Sequence, residues 1–356
     1  MSNITYGFDD VFIRPARISK VRHRSECDVI NEDGMLPLFT APMNSVVNAT
    51  NWKNFNLCKI NTIIPRGVDI NTRLTLATET FVAMSLNEFE NFVINTKVSN
   101  DIYYICVDIA NGHMQALIDL CAIAKEKFNH HLVLMAGNIA NPETYTDYAI
   151  AGIDFVRCGI GGSTVCTTSI NTGVHYGMAS LISKVADLKY TIEKCIEDAN
   201  RLQIPCKYKS VPFIIADGGM DSYSRIIKAL ALGADFVMCG KVFAQSNEAC
   251  GDSFWQYPNL DLLTNEDKSR LQYNENEYTY GFHIRDYYGM STERAQLETG
   301  KTNTVTPEGV ETYVDILYSL EDWCTTFTSY LQSAMSYTNS FNLSEFKNSI
   351  YTITKR

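Results

Sequence analysis

Tyr103-Tyr-Ile-Cys-Val-Asp108 and Leu132-Val-Leu-Met-Ala136 flank a helix-length amphipathic stretch, Met114–Phe128. Both apolar runs are continuous rather than alternating, the pattern of parallel strands buried on both faces. Two parallel strands need a crossover, and the stretch between them is long enough to be a helix. Polar residues follow each run at once: Asp108-Ile-Ala-Asn111-Gly112 after the first, Gly137-Asn138 after the second. This βαβ unit sets the grammar for the rest of the chain.

The same unit recurs on both sides. Further strand-like runs are Leu36–Thr40, Thr62–Pro65, Phe81–Ser85, Phe155–Cys158, Pro212–Ala216 and Asp235–Cys239. Helix-length segments lie between them, among them Pro142–Ile150, with Asn141 placed to cap it, and Ser222–Ala231, preceded by Asp221. Eight such runs predict an α/β fold, a (β/α)8 TIM barrel. A doubly wound sheet is the rival, but Leu36–Thr40 leads into Ala41-Pro42-Met43-Asn44 without a glycine fingerprint. Polar and glycine residues gather after the strands, at Thr40, Arg66, Ser85, Asp108, Asn138, Gly159, Asp217 and Gly240. In a barrel those positions surround one mouth, where catalysis takes place.

Beyond strand eight, 246–288 is rich in Asn, Asp, Glu and Tyr and reads as a long excursion. Val310–Gln332 reads as helical, and 333–356 as a polar C-terminal tail with one β-like piece, Ile350–Ile353. The whole chain, 1–356, is expected to form one barrel domain.

Of the 356 residues 46% are apolar, and the formal charge is −10. That composition excludes global disorder, and its acidity argues against nucleic-acid or membrane partners. A small anionic ligand is compatible, because loop N–H groups can hold a phosphate. The start of the chain lacks the basic-then-apolar order of a signal peptide. The 11 cysteines are scattered, without a Cys-x-x-Cys pair, which suits reduced thiols in the cytoplasm. The six histidines have no metal-ligand spacing.

Two loops carry chemistry. Gly159-Ile-Gly-Gly-Ser-Thr-Val-Cys166-Thr-Thr168 follows strand six and can turn backbone N–H groups toward an anion, with Cys166 at its rim. Asp217-Gly218-Gly219 and Gly240-Lys241 end strands seven and eight, the usual phosphate side of such a barrel. A carboxylate at Asp217 suits a ribose diol, and Lys241 suits a phosphate.

These segments resemble the IMP dehydrogenase/GMP reductase family. The likeness rests on Phe8–Pro15, Ala41-Pro-Met43, Ala136-Gly-Asn138, Gly159–Thr168, Ala216-Asp-Gly-Gly219 and Tyr288-Gly-Met290-Ser291, in family order. Only 16 positions separate Pro65 from Phe81, so the regulatory CBS module of many dehydrogenases is missing between strands two and three. Asp108–Gly112 and Gly300-Lys301-Thr302 are similar to reductase segments, so the resemblance favours a GMP reductase.

It implies NADPH-dependent reductive deamination of GMP to IMP and ammonia, with NADH as the lesser cofactor option. Cys166 would form a covalent intermediate, and Thr168 would work with a glutamate, first Glu298, then Glu293 or Glu308. Met43, Gly161, Thr164, Asp217, Gly218, Gly219, Gly240, Lys241, Tyr288, Met290 and Ser291 would bind substrate. Arg66, Asp108, Asn111 and Asn138 would bind cofactor, and the Gly159, Gly161 and Cys166 carbonyls could hold K+. A homotetramer is the assembly the resemblance implies. A minimal IMP dehydrogenase, an enzyme of another purine nucleotide, and a non-catalytic nucleotide-binding paralogue are the alternatives.

The chain also departs from the family. Thr164 takes the place of a phosphate-binding Ser, Asn44 of an Asp, Lys241 of the second Gly in a pair, and His175 of a Gly. Tyr318–Asp322 replaces a Gly-Gly-x-Arg-Ser run. The reductase run Glu-Gly-Lys-Thr is broken into Glu298-Thr299-Gly300-Lys301-Thr302, and the flap before it reads as about a dozen residues short.

Overall fold

The computed structural model describes residues 4–162, 165, 167–300, 306–347 and 349–353. Cys166, Ser163 and Thr164 lie outside the described residues. All eight expected strands form: β1 (Leu38–Thr40), β2 (Ile63–Ile64), β3 (Phe81–Met84), β4 (Tyr103–Asp108), β5 (Leu132–Ile139), β6 (Phe155–Cys158), β7 (Phe213–Asp217) and β8 (Phe236–Cys239). Each pairs in parallel with its neighbour from β2 through β8, and β8 pairs with β1. Asn61 closes the ring, donating to the Leu38 carbonyl at 3.0 Å and accepting from the Thr40 amide at 2.9 Å. The fold is the (β/α)8 barrel.

Inside, the N-terminal end is filled by rings. Phe39 of β1 lies 5.7 Å from Phe81, 6.0 Å from Phe155 and 5.2 Å from Phe236, all near edge-on. Tyr104 and Phe213 extend the cluster. Edge-to-face pairs add about 0.5–1.5 kcal/mol each beyond the area they bury. The plug leaves the barrel open only where the strands end.

Helix Gln115–Phe128 matches its expected span to one residue. Two capping expectations need correction. Ser222, not Asp221, caps Tyr223–Ala231, because its hydroxyl accepts the Arg225 amide while Asp221 is drawn into an ion pair with the Arg225 guanidinium. Helix Thr144–Ala151 begins two residues after Pro142, with Asn141 accepting the Glu143 amide in a turn ahead of it.

The span expected as helix Val310–Gln332 divides in two. Glu311–Asp315 is a strand (β12), and the helix is Leu320–Thr338, capped by Ser319. The excursion supplies the reason: Ser253–Gln256 (β9), Gln272–Asn274 (β10) and Thr279–Tyr288 (β11) form an antiparallel sheet, and β12 pairs along β11. A waiting strand partner outweighs local preference. Residues Tyr351–Ile353 of the tail pair with Val11–Ile13. Among the described residues no helix is long and apolar enough to cross a membrane.

Phe39→Ala should lower unfolding free energy by about 3–5 kcal/mol, as for other buried Phe truncations. Urea unfolding followed by tryptophan fluorescence measures it. A loss below 1 kcal/mol would show that the rings do not act as a plug.

Candidate active site

A cavity of about 450 Å³ occupies the open end of the barrel. Its floor is a charged row built from strand ends. Arg157 on β6 is buried and donates to Asp108 of β4 at 2.5 Å. It also reaches Asp217 of β7 through Nη2 at 2.9 Å and Nε at 3.1 Å. Asn138 of β5 donates to the same Asp217 oxygen at 2.7 Å and to the Gly159 carbonyl at 2.9 Å. Arg66, after β2, approaches Asp108 at 3.3 Å, off hydrogen-bond alignment, so its buried Nε keeps an unused donor. Burial would raise the Asp108 carboxyl, but Arg157 and then Arg66 hold it below the ordinary carboxylate range. Burial works against the Arg157 cation, yet Asp217 and Asp108 keep it firmly protonated.

Two glycine loops form the next wall. Gly161, Gly162, Gly218 and Gly219 all have positive φ. A Cβ on Gly218 would lie 2.5 Å from the Gly161 carbonyl, and one on Gly219 would lie 2.9 Å from that of Gly162. The loops after β6 and β7 therefore pack backbone against backbone, which only glycine permits. Gly240 and Lys241 border them, and the Lys241 ammonium has no partner among the described residues. His175, where the family carries a Gly, donates through Nδ1 to the Ile160 carbonyl at 3.0 Å and braces this loop from behind.

The third wall comes from 289–296 and 306–310. Val310 N–H donates to the Val165 carbonyl at 3.0 Å, and Thr167 N–H donates to the Glu308 carbonyl at 2.9 Å. Backbone hydrogen bonds thus grip the chain immediately before and after Cys166. The Thr168 hydroxyl donates to the Glu308 carboxylate at 2.7 Å.

Most expected residues line this cavity: Met43, Arg66, Asp108, Asn138, Gly159, Gly161, Thr168, Asp217, Gly218, Gly219, Gly240, Lys241, Met290 and Ser291. Three do not. Glu298, expected beside Thr168, instead accepts hydrogen bonds from the Tyr288 hydroxyl at 2.9 Å, from Arg294 at 3.1 Å and from the Asn44 amide. Glu298 is not among the residues that line the cavity, and Glu308 is the carboxylate bonded to Thr168. Tyr288 points the same way as Glu298, and its neighbour Tyr287 faces the cavity. Asn111 turns its carbonyl oxygen to His113. The Gly159 carbonyl, expected to help hold K+, is already an acceptor for Asn138, and no His, Cys, Asp and Glu cluster of metal-binding size occurs among the described residues.

Sequence reading missed Arg157 and Gln296 in the lining. A lone arginine within an apolar strand was the available signal for the first, since a buried cation needs anionic partners. For the relay, Glu308-Gly309 keeps Glu directly before Gly, whereas Glu298-Thr299-Gly300 does not.

A family model for the IMP dehydrogenase / GMP reductase domain matches residues 69–355. GMP reductase 1 of Homo sapiens is 27% identical over 91% of this chain and 90% of its own length. The GMP reductase of Oceanobacillus iheyensis is 27% identical over 100% of this chain and 97% of its own. The inosine-5'-monophosphate dehydrogenase of Chlorobaculum tepidum is 32% identical over 71% of this chain, which spans 45% of that protein's length. The chain belongs to the IMP dehydrogenase/GMP reductase family.

Asn44 explains one departure. An Asp there would set a second carboxylate against Glu298. Asn44→Asp should therefore loosen the short helix Glu293–Glu298 and speed limited tryptic cleavage after Arg294 several-fold. An unchanged cleavage rate would mean that this contact does not hold the helix.

Proposed function

We propose that the protein is a GMP reductase, converting GMP to IMP and ammonia at the expense of NADPH. The observation that supports it most is the Thr168–Glu308 pair, set beside a segment whose backbone grips both neighbours of Cys166. The reductases' match along nearly their whole length, against 45% for the dehydrogenase, points the same way.

On this reading the purine monophosphate places its phosphate among Gly161, Gly218, Gly219, Gly240 and Lys241, with Thr164 and Ser291 as hydroxyl donors. Asp217 accepts from the ribose, and Met43 and Met290 flank the base. The Cys166 thiolate attacks C2 and forms a C–S bond, after which the 2-amino group departs as ammonia. Amide ion is a very poor leaving group, so the amine must receive a proton as it leaves. When Glu308 takes up a proton the Thr168–Glu308 hydrogen bond reverses, so that Glu308 donates to the Thr168 oxygen while the Thr168 hydroxyl proton moves to the amine. Thiolate is a strong nucleophile and a workable leaving group, which suits both formation and release of the adduct.

The unused Arg66 donor and the Asn138 side-chain oxygen fit the carboxamide of a nicotinamide, with Asp108 as a further acceptor. NADPH, when bound, would supply the hydride for C2, and the C2–S bond would break to return Cys166 as a thiolate and free IMP; NADH is the lesser option. Assembly as a homotetramer is part of the same proposal, and light scattering measures it.

Absorbance at the reduced-nicotinamide band tests the reading with GMP plus NADPH and with IMP plus NAD. GMP-dependent loss of NADPH is the expected result. NADH formation from IMP, without the first reaction, would make the protein a minimal IMP dehydrogenase. Silence in both with retained nucleotide binding would make it a binding paralogue. Cys166→Ala should abolish turnover and keep GMP binding. Glu308→Gln should lower kcat by about 10²–10⁴-fold, the range of a positioned proton-transfer group. Glu298→Gln should do far less, and the reverse order would refute the assignment of the relay.

A further inference from the structure

His113 lies just outside the cavity, between the loops after β4 and β5. Its Nε2 accepts two backbone amides, from Ala140 at 3.0 Å and Asn141 at 3.2 Å. An imidazole nitrogen that accepts carries no proton, so the proton of the neutral ring sits on Nδ1. There it is donated to the Asn111 side-chain oxygen at 3.0 Å, which also accepts the His113 backbone amide at 3.2 Å. The ring thus ties 111–113 to 140–141.

Between those ties runs Asn138. Its carbonyl accepts the Gly112 amide at 2.8 Å, and its own amide donates to Ile109 at 2.8 Å. Tyr148 donates to the Gly112 carbonyl at 2.8 Å. A Cβ on Gly112 would lie 2.7 Å from the Asn138 carbonyl, so the two loops approach as closely as backbone allows. At the far end, the Asn138 amide holds Asp217 and the Gly159 carbonyl.

We propose that His113 is a positioning residue for the reaction, its neutral Nδ1–H tautomer clamping the β5 loop so that Asn138 turns its side-chain oxygen to the cofactor and its NH2 group to Asp217 and the Gly159 carbonyl. This rests on the function proposed above. Protonation would turn Nε2 into a donor facing two donors and release the clamp. The charged groups on surrounding elements are Asp108, committed to Arg157 and Arg66, Asp119, which accepts from Gln115, and Glu143 and Asp147 around helix Thr144–Ala151. Burial alone draws the imidazole below its ordinary titration range, which favours the neutral ring. The clamp is therefore fully present near pH 8 and is lost as pH falls through the lowered value.

Wild type, His113→Gln and His113→Phe are compared by kcat and KM for each substrate between pH 5 and 8. Gln keeps a non-titrating acceptor, and Phe removes it. At pH 8 His113→Phe should lose at least tenfold in kcat/KM for NADPH, with His113→Gln regaining part of that loss. The wild-type to Gln ratio should fall on acidification, and titration of the nucleotide phosphate cancels in that ratio. A ratio independent of pH, or equal losses for Gln and Phe, would overturn the proposal. Nitrogen-15 NMR of histidine-labelled protein, with His113→Gln for assignment, reads the tautomer directly. Nδ1 should be protonated and Nε2 not, and the opposite tautomer would also overturn it. This arm stands even if wild-type protein fails to oxidise NADPH with GMP, an outcome that refutes only the reductase reading.

Discussion

The barrel mouth is organised around one buried cation. Arg157 projects from β6 between Asp108 and Asp217 on strands to either side, and no other charged side chain reaches both in the described structure. Desolvating three charges is costly, and the cost is offset only while each hydrogen-bonding direction is used. Removing one partner from such an arrangement typically costs about 3–5 kcal/mol. The row therefore fixes the relative height of β4, β6 and β7, and with it every loop that departs from them. It also fixes where the Asp217 carboxylate faces the cavity.

Around that row the site is assembled almost wholly from backbone. Glycine loops stand back to back, with peptide groups rather than side chains in contact. The segment 308–310 reaches across and grips Val165 and Thr167, through the Val310 amide and the Glu308 carbonyl. Backbone contacts of this kind tolerate drift in side-chain identity. That accounts for a chain that replaces several family residues while keeping the surrounding geometry. His175 and Asn44 show how replaced positions find new work, one bracing a loop through a carbonyl and the other holding a carboxylate.

The barrel was readable because its strands are mostly apolar runs, as burial on two faces favours, broken chiefly at their mouth ends and by Arg157. β4 and β6 match their expected limits to the residue. What escaped depends on partners distant in sequence. β12 is a strand because β11 lies beside it, and nothing within Glu311–Asp315 announces that partner. Glu298 and Glu308 are both glutamates close to a glycine, and only the fold shows that Tyr288, Arg294 and Asn44 have claimed the first. The resemblance of Asp108–Gly112 to a reductase segment implied Asn111 as a ligand, yet its side-chain oxygen is turned to His113 within the loop itself.

The ring of aromatic side chains beneath the cavity has a kinetic meaning as well as a structural one. Phe39, Phe81, Phe155 and Phe236 interlock beneath the cavity, at the end of the barrel opposite its mouth. Where two ligands share a site reached from one end, the deeper of them has to enter first and leave last.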